Sequence, residues 1–277
     1  MSDPRSPAAR RRWWIRAIAG ALVWLVCAGA APIARGEIPP GERLVYQIRW
    51  MRIPAGEAVL EAAGAEDLDN QPTRHFIMTA RTNSFVDTFY KVRSRIETWM
   101  NLELGRSLRY HKQQREGAHR PRDEQVDFDW ANQVATYTNR GRSRPPLSLR
   151  PGTVDPLAAL YFTRRAPLVP GTQIERPVSD GKKVVIGRAR VIGKEKIEVP
   201  AGTFDTLVIE PDLRDVGGVF EKSPDARIRL WLTDDAHRIP VRVHSKVVVG
   251  YFVGELTAIQ GYPSGSVTGH GVSALPQ

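Results

Sequence analysis

Residues 195–211 read EKIEVPAGTFDTLVIEP. Two β-prone runs, one with Ile197 and Val199 and the other with Phe204, Leu207 and Ile209, flank Pro200-Ala201-Gly202. Proline pre-sets the φ needed at the second position of a β-turn, and glycine can take the positive φ that a bulged three-residue hairpin requires. The stretch therefore predicts a β-hairpin with Pro200 and Gly202 as turn residues. A near-copy, Ile53-Pro54-Ala55-Gly56, lies upstream in WMRIPAGEAVLEA, residues 50–62. The same logic assigns Pro54 and Gly56 to a turn. A second echo sets Arg95-Ile96-x-x-Trp99-Met100 against Arg227-Ile228-x-x-Trp231-Leu232, and Arg109-Tyr110-His111 against Arg242-Val243-His244. The shared order predicts two related halves, at about residues 41–140 and 172–260.

Outward from these words the hydrophobic period is mostly two, the signature of half-buried strands. In RLVYQIRWM, residues 43–51, Leu44, Tyr46, Ile48 and Trp50 share a face. Further strands are expected at 75–81, 93–100, 108–116, 124–130, 133–139, 172–180, 182–193, 194–199, 203–211, 226–234, 239–250 and 251–260. Asp129–Asn132 reads as a hairpin turn, and Asp180-Gly181 as another. One helix stands out, at 154–165: Asp155 suits the N-cap, Pro156 the first helical position, and Leu157, Leu160 and Tyr161 one face. The fold class is mainly β, a curved antiparallel sheet forming an open barrel or roll from two related halves, with one or two short helices. A single domain is expected over 37–260, followed by a Gly/Ser-rich tail at 261–277 read as disordered.

The first 36 residues read as an address. Six arginines against Asp3 precede or flank the apolar stretch Ala17–Ala31, and small residues follow. That is the pattern of a secretory signal peptide, which places the mature chain in the periplasm. An uncleaved anchor is the alternative, because the stretch approaches the roughly 17 residues at the low end of the spanning range. The chain carries a formal charge of +10 over 277 residues, of which the leader holds half. Elsewhere Lys and Arg alternate with Asp and Glu, so no basic stripe for nucleic acid is expected. Cys27 is the only cysteine and lies in the leader. A mature chain without cysteine has no disulfide, no thiolate catalysis and no Cys-ligated metal.

The residues RTNSFVDTFYKVRSRIETW, DPLAALYF, SDGKK, KIEVPAGTFDTLVIEP and RIRLWLTDDAHRIPVRVHSK, with GERLVYQIRWMRIPAGEAVLEA before them, resemble the bacterial exported proteins of domain of unknown function 3108. The resemblance spans about residues 40–260. It implies an envelope protein of mostly β architecture, and it brings no reaction and no catalytic residues.

The sequence holds no G-x-S-x-G elbow and no H-E-x-x-H, and Gly181-Lys182 lacks the upstream glycine of a phosphate loop. No catalytic residue, metal or cofactor is expected. Titratable candidates are His111 and His244, which could meet if the halves pack about a pseudo-twofold, the acidic run Asp123, Glu124, Asp127 and Asp129, and the pair Asp234-Asp235. Asp87, near Arg81, Arg93 and Arg95, reads as charge-paired. Aromatics give the functional lead, since apolar β-surfaces hold acyl chains or glycans. Trp50, Phe85, Phe89, Tyr90, Trp99 and Trp231 are the ligand-groove candidates, with Phe85–Tyr90 as a plug or lid. Two classes of function stay open: a non-enzymatic binder or carrier of an envelope lipid or glycan, and a hydrolase of an envelope polymer using Asp and His.

Overall fold

The computed structural model describes residues 37–212, 226–247, 250–263 and 267. The leader at 1–36 and most of the 261–277 tail lie outside the described residues. Among the described residues fifteen strands run in chain order: β1 (Arg43–Trp50), β2 (Ile53–Leu68), β3 (Gln71–Thr82), β4 (Val92–Met100), β5 (Ser107–Glu116), β6 (Arg122–Asp129), β7 (Val134–Asn139), β8 (Arg142–Ser143), β9 (Leu147–Ser148), β10 (Gln173–Ser179), β11 (Val184–Val199), β12 (Gly202–Pro211), β13 (Arg227–Thr233), β14 (Pro240–Val247) and β15 (Gly250–Gln260). A short helix α1 (Ser84–Asp87) separates β3 from β4, and a longer one, α2 (Pro156–Arg165), separates β9 from β10.

All strands belong to one antiparallel sheet in the order β10-β11-β12-β13-β14-β15-β1-β2-β3-β4-β5-β6-β7-β8, with β9 also on β7. Pairing of β15 with β1 brings the two ends of the domain together in mid-sheet. The sheet is not closed. A parallel bridge from Val154 to Val178 ties the segment before α2 to the β10 edge. Inward strand positions, including Leu44, Phe76, Met100, Val126 and Leu256, fill one core together with Tyr161 of α2. Each fully buried side chain of this size contributes about 1.5–3 kcal/mol. A satellite cluster joins Leu168, Val191, Leu207, Ile209 and Leu232.

The two proline-glycine words have different places. Pro200 and Ala201 form the two-residue turn between β11 and β12, with Val199 paired to Gly202, whose φ is +138°. Pro54 and Gly56, expected in a turn, lie instead inside β2; the β1–β2 turn is Met51-Arg52, with Met51 at φ +55°. The register passes from Ile48↔Gly56 to Arg49↔Pro54 and leaves Ala55 as a bulge. Gly56 is required there by crowding: a Cβ would stand 2.1 Å from the Arg81 carbonyl oxygen. The break expected at residue 194 is also absent. β11 runs unbroken through it, absorbing the misfit in a register shift between Val191 and Gly193. Asp180 and Gly181 fall in the four-residue loop between β10 and β11, where Gly181 has φ +79°.

The tryptophan words sit in matching surroundings. Trp99 on β4 donates its indole N–H to Glu66 on β2 at 3.2 Å and pairs across the ladder with Arg109. Arg109 donates to Asp127 at 2.5 Å and to Asp69, in the β2–β3 turn, at 3.2 Å. Trp231 on β13 donates to Glu195 on β11 at 2.8 Å and pairs with Arg242. Arg242 donates to Glu255 at 3.1 Å and to the Glu198 carbonyl, beside the β11–β12 turn, at 2.6 Å. A register shift follows each tryptophan, and another precedes each glutamate, at Ala62/Gly64 and Val191/Gly193.

Candidate functional site

The site is built around α2. Asp155 caps it: one carboxylate oxygen accepts from the backbone N–H of Leu157 at 2.9 Å and of Ala158 at 3.0 Å. The other accepts from the hydroxyls of Thr98 and Ser107, on β4 and β5. Burial pushes the Asp155 carboxyl up, against the pull of these donors. At the far end Arg164 meets Glu42 in a bidentate pair, both contacts 2.6 Å and both side chains 0% exposed. Arg164 also donates to the His237 carbonyl at 3.2 Å, and the Tyr262 hydroxyl donates to Glu42. Between these anchors Tyr161 stacks on Phe76 with ring centroids 3.8 Å apart. The helix is thus pinned at both ends against the inner face of the sheet.

Pinning does not fill the space. A cavity of about 510 Å³ remains between one side of α2 and the inner faces of β3–β5 and β10–β14. Its walls are aliphatic, with Met78, Ile96, Leu160, Ile174, Leu230 and Val243 among them. Glycine at 187 keeps part of this room open, since a Cβ there would come within 2.9 Å of Val178. One inward strand position breaks the apolar pattern. On β10, Ile174, Arg176 and Val178 all line the cavity. The Arg176 guanidinium lies 4.3 Å over the Phe162 ring and donates to the Gly105 carbonyl. Burial pulls its pKa below the ordinary arginine value.

None of the aromatic groove candidates lines this cavity. Trp50, at the end of β1, is exposed. Phe85 and Phe89 are 60% and 76% exposed and meet edge to face at 5.6 Å. Tyr90, also exposed, lies against Gly117. Trp99 stacks on His75 at 4.3 Å, and Trp231 is buried. The Phe85–Tyr90 segment is fixed as a knob: Asn83 accepts from the Val86 N–H at 2.9 Å, and Asp87 pairs with Arg93 at 2.5 Å. Hydrogen bonds from Arg93 and Thr82 hold the Asp87 carboxyl at about 2.

Of the acid–base candidates, His111 and Asp123 meet, but the two histidines do not. His111 on β5 and His244 on β14 are separated by five strands and occupy positions alternate to the inward Tyr110 and Val243. His111 contacts Asp123 at 2.6 Å, whereas His244 lies beside the Tyr251 ring. Burial, with Arg229 and Arg242, lowers the His244 pKa. Asp127 serves Arg109, Asp129 accepts from Asn132, and Asp234 pairs with Lys194 and Arg238. Asp235 accepts from Thr233 and from the backbone of His237 and Arg238. Glu124 is held by Tyr137 and Lys182. Residues missed from the sequence are the aliphatic cavity walls and Arg176. Their signal was the alternation Ile174-x-Arg176-x-Val178 within TQIERPVSD.

Among the described residues no helix is long and apolar enough to cross a membrane. A search of curated proteins finds no match. Among solved structures the chain is similar to a β-barrel-like protein of the domain of unknown function DUF1849 from Brucella abortus, at 12% identity and a TM-score of 0.51, covering 82% of this chain and 100% of that one. A Bacteroides fragilis protein with a YmcC-like fold aligns at 9% identity and a TM-score of 0.33, covering 82% and 98%. The first likeness agrees with the barrel-like fold. A family model described as protein of unknown function (DUF3108) matches residues 45–257, most of the chain, so the protein belongs to the DUF3108 family.

Proposed function

We propose that the protein is a non-enzymatic binder or carrier of an apolar or amphiphilic ligand of the cell envelope, held in the cavity beside α2, and that the leader exports it to the periplasm. The cavity itself carries the reading. Its volume of about 510 Å³ falls within the roughly 300–1,000 Å³ of small-molecule sites, and its walls are mostly aliphatic. Such walls favour an acyl chain over a glycan, whose hydroxyls would lose water without gaining partners. The hydrolase alternative has the His111–Asp123 contact in its favour, but neither residue lines this cavity. The matching Glu-Trp-Arg-acid surroundings of Trp99 and Trp231 support reading the two halves as copies of one unit within a single domain.

Native mass spectrometry of the protein purified from expressing bacteria tests the binding reading. An added mass of a lipid or fatty acid is expected, and Leu160→Trp, which fills the cavity, should abolish it. Failure of both the native protein and added fatty acids to show any bound mass would overturn the proposal.

A further inference from the structure

Resting on that reading of the cavity, we infer that its ligand carries an anionic head, a carboxylate or phosphate ester, and that Arg176 receives it. Three observations converge. First, Arg176 is the charged residue that β10 turns inward between Ile174 and Val178, among aliphatic walls. Second, no ion pair among the described residues compensates its charge, and the nearby acid Glu175 is engaged by Arg188 at 2.9 Å. Arg188 and Asp212 also border the cavity, and the Asp212 backbone N–H donates to the Arg188 carbonyl at 2.8 Å. Third, the guanidinium has unused capacity. It carries five N–H donors and cannot lose its proton. The Gly105 carbonyl takes one Nη2 hydrogen, and Nε is buried without a partner among the described residues.

The surroundings hold the guanidinium in place while leaving that capacity open. The Phe162 face supports it, and Gly152 makes room for it, since a Cβ at residue 152 would stand 2.7 Å from Nη2. Across the ladder its partner is Gly187, which presents no side chain to the same space. An arginine fork matches carboxylate and phosphate oxygens in geometry, and charge-assisted bonds of this kind are stronger where water is excluded. An acyl chain would then lie along Ile96, Leu160 and Leu230 with its head at Arg176.

The test is isothermal titration calorimetry of the full chain with decanoate and with 1-decanol at neutral pH, which share a tail and differ in the head. Decanoate should bind the unaltered protein about tenfold or more tightly than decanol, as one charged hydrogen bond provides. Arg176→Met should remove that preference, and Arg176→Lys should keep part of it. Equal affinity of the unaltered protein for the two ligands overturns the head assignment and leaves the cavity reading standing. This comparison needs no variant, so it decides even if Arg176→Met fails to fold. Binding of neither ligand removes both proposals.

Discussion

Glu42 and Arg164 are both fully buried and hold each other through two bonds of 2.6 Å. Such a pair gives little net stability, yet removing one partner strands a charge in the core. Glu42→Gln should therefore lower the free energy of unfolding by about 3–5 kcal/mol, read from urea denaturation. A loss within 1 kcal/mol would show that water reaches the pair. Asp87 lies at the surface and behaves differently. Its carboxyl is held at about 2, depressed from its ordinary value of 3.8 by Arg93 and Thr82. A depressed acid contributes stability above its ordinary pKa, and that contribution is lost as pH falls through the folded value. An NMR titration should place the Asp87 midpoint at about 2, with the Val86 and Thr88 amides shifting over the same window. A midpoint close to 4 would mean the Asp87–Arg93 pair does not persist in solution.

At the scale of an element, the long strands are shaped by where glycine permits a close approach or a bulge. Gly56 in β2 has the Arg81 carbonyl where its Cβ would be, whereas a Cβ at Gly193 in β11 meets nothing within 4 Å. Gly56→Ala should force β2 from β3 and cost about 1–3 kcal/mol. Gly193→Ala should change stability by less than about 0.5 kcal/mol or increase it slightly. Thermal or urea unfolding of the two variants side by side checks this, and equal effects would mean the bulges respond alike. Much of the secondary structure was legible at this scale. Asp155-Pro156 announces α2 because capping and a fixed φ are local properties, and period-two alternation marks most strands for the same reason. Turns were less legible. Pro-Ala-Gly at 54–56 and at 200–202 is the same local instruction, but β1 already turns at Met51-Arg52, so the upstream copy is drawn into a strand and its misfit becomes a bulge at Ala55.

For the molecule as a whole, ligand binding and stability should be linked. A ligand that binds only the folded chain stabilises it by about 2.7 kcal/mol at a hundredfold excess over its Kd. Saturating decanoate should accordingly raise the melting temperature, and Leu160→Trp should remove the rise while leaving a folded protein. A melting temperature insensitive to decanoate up to its solubility limit would count against the cavity as a binding site. The aromatic candidates belong to this scale too. Trp50, Phe85, Phe89, Tyr90, Trp99 and Trp231 are apolar enough for a groove, but apolarity alone does not say which side of a curved sheet a residue faces or where the helix will pack.

The sequence alone determined the strand-rich architecture and the capped helix, because alternation and capping act between neighbours along the chain. The tertiary structure decided which proline-glycine word became a turn, where the cavity lies, and that Arg176 faces into it. Those outcomes depend on partners far apart in the chain: Glu42 drawing Arg164 inward, Thr98 and Ser107 fixing Asp155, and β15 closing onto β1. A side chain's local pattern gives its face on a strand, but only the packing of distant elements settles what that face meets.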